Sequence, residues 1–316
     1  MILKRPSYFV LLTFPLLLLF TPRHVDERFN WQTLESGSLK IHWYEGDVDF
    51  GQDALETAQA GLASISSFVP LNLEQPAEIF IYANADDLHS DLVPGREDVA
   101  VAPWRHWVAG HADPALGLVR VLIGPGPQQA IEMEQRIPHE LMHVMLYRHV
   151  GAGYNNLPAW LSEGMATLAE IYPNAHHERV LQEAITSKRL IPLQDLCVSF
   201  PNEPAEAFLA YAESRSFTNY LYETYGSTGL LNVAALYADG IDCERGAEYA
   251  FGASLSILEH KWRSSLLEQN GFLPALQNIS PYLVLLCLVL VVPLLGLIGT
   301  LRKKGTRNGS GTEIRR

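Results

Sequence analysis

Apolar and polar positions follow three regimes along this chain. Residues 39–44 alternate apolar and polar as a half-buried strand does, and residues 78–82 and 118–123 read as two further short strands. Residues 51–69 carry a helical period closed by Pro70, and Gly124-Pro125-Gly126-Pro127 stops the third strand abruptly. From Gln128 the pattern is helical nearly to Leu267, with interruptions at 151–158, at Pro173, at 192–204 and at 226–229. Residues 84–117 are rich in Asp, Pro, Gly and Trp and show no sustained period, so loops are expected there, with a hairpin near 107–110. No internal repeat is visible. The order of elements predicts an α+β fold, with a small mixed sheet-and-helix N-terminal lobe over 23–127 and a helical lobe over 128–275.

The two ends are apolar in different ways. Lys4 and Arg5 precede a short apolar run at 8–20, the arrangement of an export signal within residues 1–22. No small-x-small site follows it, so a cleaved signal peptide and a retained signal anchor both stand. Residues 281–301 are 21 positions without a formal charge. As a helix they would reach about 31 Å, the depth of a hydrocarbon core, and a transmembrane helix is expected over 280–301. Arg302, Lys303 and Lys304 follow at once, and the positive-inside rule then assigns the tail 302–316 to the cytoplasm. Both ends therefore predict a cell-membrane protein, in contact with the lipid bilayer, whose catalytic domain lies outside the cytoplasm.

Charge narrows the partners. Of 23 basic residues, eight flank the apolar ends, and of 35 acidic residues only Glu313 lies beyond them, which leaves 15 basic and 34 acidic side chains in 21–279. Such a surface repels phosphate backbones, so no nucleic-acid partner is expected. Cys197, Cys243 and Cys287 have no paired CxxC spacing, which excludes a cysteine-based metal or redox motif. Cys197 and Cys243 have two readings, a disulfide outside the cytoplasm or two unrelated buried thiols.

The chemistry concentrates at His139-Glu140-Leu141-Met142-His143. Two histidines four apart on a helix lie about 6 Å apart along its axis, so both imidazoles can reach one ion. Glu140 flanks them, close enough to act as a general base without being a ligand. A catalytic ion needs a third ligand and an open fourth position. Glu163 follows His143 by 20 positions, room for one helix to end, a loop with Gly151 and Gly153 to reverse the chain, and a second helix to start after Pro158. Pro138 has two readings, a kink within the helix or a fresh helix start.

The His-Glu-Leu-Met-His run, its spacing to Glu163 and the element Trp160-Leu161-Ser162-Glu163-Gly164-Met165-Ala166 resemble gluzincin zinc metallopeptidases, in particular the peptidase MA-like domains related to thermolysin and the M1 aminopeptidases. The resemblance extends more loosely from about residue 40 to 267. It implies a two-lobed zincin fold, Zn2+ held by His139, His143 and Glu163, Glu140 activating the attacking water, and a peptide or protein substrate. Family members often place a Tyr or His beyond the ligand Glu to bind the oxyanion, which makes Tyr211 the first candidate and Tyr220 the second. Departures also count. The aminopeptidase Gly-x-Met-Glu-Asn motif is absent from residues 118–124, which points to an endopeptidase, and Thr167 stands where thermolysin-like members carry an Asp that orients the first His. Glu170 has two readings, that missing partner or a solvated carboxylate.

Residues 118–123 are expected as an edge strand, either able to pair with an extended substrate or merely structural. His106 and His111 precede it as substrate-contact candidates, and His149, His176 and His177 read as solvated histidines. Asn278-Ile279-Ser280 fits a glycosylation acceptor. The competing function is a catalytically idle relative retained as a binding or sensory module at the membrane. Intact ligands and Glu140 weigh against it.

Overall fold

A computed structural model describes residues 28–73, 75–90, 109–269, 281–282, 284–293 and 295–296. The export signal at 1–22, His106, the acceptor Asn278 and the basic tail 302–316 lie outside the described residues. Two compact units emerge, the first holding the described residues up to His149 together with Ala169–Pro173, the second Val150–Leu168 and the described residues from Asn174.

The first unit is built on a five-stranded sheet in the order β1-β2-β3-β5-β4. These are β1 Gln32–Ser36, β2 Leu39–Trp43, β3 Ala77–Tyr82, β4 Gly110–Asp113 and β5 Leu118–Leu122. Strands β2, β3 and β5 run parallel, and β1 and β4 pair antiparallel at the two edges. Helix α1, Val48–Phe68, links β2 to β3, and α2, Ala85–Ser90, follows β3. The expected α+β class is therefore corrected to mixed α/β, while the helix expected between the first two predicted strands is present as α1. Parallel neighbours need a crossover, and α1 supplies one.

Local chemistry explains these elements. Gly37, at φ +60, fills the two-residue turn joining β1 to β2. Asp47 caps α1, its carboxylate accepting from the Phe50 N–H at 3.1 Å. Gly51 lets α1 lie directly on β2, since a Cβ there would stand 2.3 Å from the Trp43 ring. Ile41, Ile79, Ile81, Val119 and Val121 fill the core with Ala54, Ala58 and Ile65. A second cluster of Phe80, Tyr82, Leu88 and Leu118 is covered by Phe29, Trp31, Tyr44 and Leu122.

Two expectations about strands change. β5 lies between β3 and β4, so the expected edge strand is internal, and β4 ends the sheet among the described residues. The hairpin falls at β4 and β5, turning where the Leu116 N–H donates to the Asp113 carbonyl at 3.1 Å. The near-continuous burial of β5 is what a strand paired on both sides requires.

Helix α3, Gln129–Val150, completes the first unit and runs unbroken through Pro138. The second unit is helical: α4 Ala159–Ala169, α5 Ala175–Ser187, α6 Pro204–Ala238, α7 Cys243–Phe251 and α8 Leu255–Gln269. Gly226, at φ +71, turns α6 within its length. Trp160, Phe217 and Trp262 pack edge to face, with ring centroids 5.0 and 5.6 Å apart. Cys197 and Cys243 form a disulfide, which resolves their two readings. Gly164 permits close approach of α4 to α6, because a Cβ would stand 2.2 Å from Thr218 Oγ1 and 2.6 Å from the Ser214 carbonyl oxygen.

The spanning helix expected over 280–301 is corrected. Among the described residues no helix is long and apolar enough to cross a membrane.

Candidate metal centre

Helix α3 carries His139, Glu140 and His143 on adjacent turns. The two imidazoles meet edge to face with centroids 5.1 Å apart. His143 and Glu140 are each 7% exposed, so the helix presents both from within the protein and not from its surface. Glu163 sits in the first turns of α4, which starts after Pro158 as the spacing predicts. One ligand atom from each of His139, His143 and Glu163 comes together with the others, all within 4.8 Å of one another, and this trio could hold a metal ion. Two imidazoles and one carboxylate form a donor set suited to a divalent ion of intermediate softness with one coordination position left open.

Glu140 is confined from the side of the sheet. A Cβ at Gly110 would stand 2.4 Å from Glu140 Oε1, so any side chain on β4 here would have to displace the carboxylate. β4 reads Gly110-His111-Ala112-Asp113.

His139 has a partner on its far side. Its Nδ1 lies 3.3 Å from Glu170 Oε1, with the two side chains 14% and 9% exposed. Of the two readings of Glu170, the structure supports the partner to His139. A proton held on Nδ1 by that carboxylate leaves the Nε2 lone pair for a metal. Thr167 does something else, its hydroxyl donating to the Glu163 carbonyl at 2.7 Å.

The remaining candidates have the following neighbours. Tyr211 lies on α6 with its ring edge-on to Phe200, centroids 4.8 Å apart, and Tyr220 stacks with Phe217 at 6.4 Å. His111 is exposed on β4. His177, expected as a solvated histidine, is buried against Phe208 with centroids 4.6 Å apart. His149 and His176 are exposed.

Two further features went unread in the pattern. Gly110 belongs to a strand too short and polar to signal itself. The Ile171 N–H donates to the Glu134 carbonyl at 2.9 Å, for which the one available sign was Pro138. A proline four residues on deprives that carbonyl of its helical donor.

The family model described as the peptidase MA superfamily matches residues 57–268, more than half of the chain. No curated protein matches it.

Proposed function

Because the chain belongs to the peptidase MA superfamily, we propose that it is a zinc-dependent peptidase, with His139, His143 and Glu163 as ligands and Glu140 as general base. The observation that carries this is the approach of three ligand atoms to within 4.8 Å of one another, with Glu140 buried on the helix that supplies two of them. Zinc held there by His139, His143 and Glu163 would supply Lewis acidity, polarising the scissile carbonyl and making water nucleophilic near neutral pH. Glu140 takes a proton from the attacking water and returns it to the leaving amine. Gly110 restricts where that carboxylate can stand, which favours a short and repeatable proton path. Tyr211 is assigned as the oxyanion donor.

The substrate in this reading is an extended peptide. As the last strand of the sheet among the described residues, β4 offers main-chain groups for strand addition beside Glu140. Pairing of this kind grips a chain running through the site in both directions, which suits endopeptidase cleavage. The disulfide between Cys197 and Cys243 and the export-type start of the chain both support a catalytic domain working outside the cytoplasm.

Zinc per chain, measured in the purified protein and in His139→Ala, His143→Ala and Glu163→Ala, tests the ligand assignment. One zinc per wild-type chain and loss of it in each variant is expected. Zinc retained at full stoichiometry in Glu163→Ala would remove that residue from the set.

A further inference from the structure

The geometry points to a backbone clasp, the Ile171 N–H on the Glu134 carbonyl that Pro138 leaves vacant, as what holds Glu170 in register with His139. This rests on the metal reading above.

The sequence order is Glu134, then Pro138 four positions later, then His139. In an unbroken α-helix the Glu134 carbonyl would accept from the N–H of residue 138, but proline has none. A vacated carbonyl inside a helix is a point of weakness unless another donor fills it. Here the donor is the Ile171 N–H, at 2.9 Å. Helix α4 ends at Ala169, and the Ile171 N–H beyond it donates to the Glu134 carbonyl of α3. The bond fixes the chain one residue beyond Glu170, and the Glu170 carboxylate then reaches His139 Nδ1 at 3.3 Å.

Three other observations agree. Pro138 is buried and packs on Gly61 of α1, where an added Cβ would stand 3.0 Å from the proline ring, so this turn of α3 is held against the rest of its unit. Thr167 is committed to the Glu163 carbonyl and offers no anionic partner to an imidazole. Glu170 Oε2 is buried without a hydrogen-bond partner. A buried carboxylate oxygen without a partner costs stability, and the backbone bond of the next residue helps hold the side chain there. A carboxylate in that position fixes ring orientation and raises the basicity of the ligand nitrogen.

The test uses the full chain and zinc affinity, read by competition with a chromophoric chelator. Glu170→Gln keeps the shape and removes the charge, and should weaken zinc binding by about 10- to 100-fold. Ile171→Pro removes the clasp's donor and leaves Glu170 in the chain, and should weaken binding in the same direction. Ile171→Ala keeps the N–H and should bind zinc as the wild type does. Should Ile171→Pro fail to fold, hydrogen exchange in the metal-free wild type decides, with the Ile171 amide expected to be protected like the interior of α3. Unchanged affinity in Glu170→Gln, unchanged affinity in folded Ile171→Pro, or an unprotected Ile171 amide each overturns the proposal while leaving the zinc reading intact. A wild-type chain that binds no zinc overturns both.

Discussion

Gly110 and Glu140 are in contact across the first unit: the α-carbon of an edge-strand glycine faces the carboxylate of the proposed general base so closely that a methyl group would stand 2.4 Å from Oε1. Gly110→Ala must therefore push either the strand or the carboxylate aside. Displacement of a catalytic group by about 1 Å can cost about 100-fold in rate. Peptide hydrolysis by Gly110→Ala is expected to fall by about that factor while zinc per chain stays at the wild-type value. Steady-state kinetics with metal analysis on the same sample checks both halves.

A second glycine has a structural task. At Gly164, beside the proposed ligand Glu163, a Cβ would stand 2.2 Å from Thr218 Oγ1 and 2.6 Å from the Ser214 carbonyl oxygen. Overpacking of this kind costs about 1–3 kcal/mol. Gly164→Ala should lower the unfolding free energy by that amount in urea titration. A variant as stable as the wild type would show that α4 and α6 are not packed as described.

The disulfide closes a separation of 46 residues. Replacing both Cys197 and Cys243 by Ala should destabilise the chain by about 2–4 kcal/mol, because the open chain regains conformational freedom when unfolded. Denaturant unfolding of the double variant measures this, and a reductant should lower wild-type stability while leaving the variant unaffected.

Glu213 makes stability depend on pH. It is fully buried on α6, and that burial pushes its carboxyl up to about 8, against the opposing pull of the Ile191 N–H and the Arg263 guanidinium, with Glu259 nearby adding to the rise. In the unfolded chain the group ionises near its ordinary 4.5, so between about 4.5 and 8 the folded state holds a proton that the unfolded state has lost. Stability contributed by the neutral carboxyl is complete below that window and declines as pH rises through it. Glu213→Gln should be more stable than the wild type at pH 8 and lose that advantage toward pH 4. Unfolding curves at the two pH values decide it, and a wild-type advantage at pH 8 would contradict this account of Glu213.

How far these features could be read from sequence depends on what each one obeys. His139, Glu140, His143 and Glu163 are linked by helical period and a reversal signalled by glycines and Pro158, both local properties, and the peptidase MA resemblance they suggested is borne out by the family match. Strand β1 was missed because it is mostly exposed and its residues Gln-Thr-Leu-Glu-Ser form no apolar run. The edge of the sheet was misassigned because pairing order is a property of the whole sheet. β5 looked like a strand, whereas β4 is four residues with a glycine, a histidine and an aspartate. Glu170 could not be placed by helical spacing from Glu163, since α4 ends at Ala169 and a bond from Ile171 to Glu134 redirects the chain. At the C-terminal end, apolarity over 281–301 satisfies a composition rule, whereas no helix among the described residues is long and apolar enough to cross a membrane.

The most direct measurement is on Glu140, which contributes no ligand to the proposed site and carries the proton chemistry. Wild-type protein and Glu140→Gln should bind zinc at the same stoichiometry, while hydrolysis of a broad peptide library falls by about 100- to 10,000-fold in the variant. Equal hydrolysis by the two proteins, or a zinc-loaded wild type that cleaves nothing in the library, would contradict the assignment of this site to peptide-bond hydrolysis.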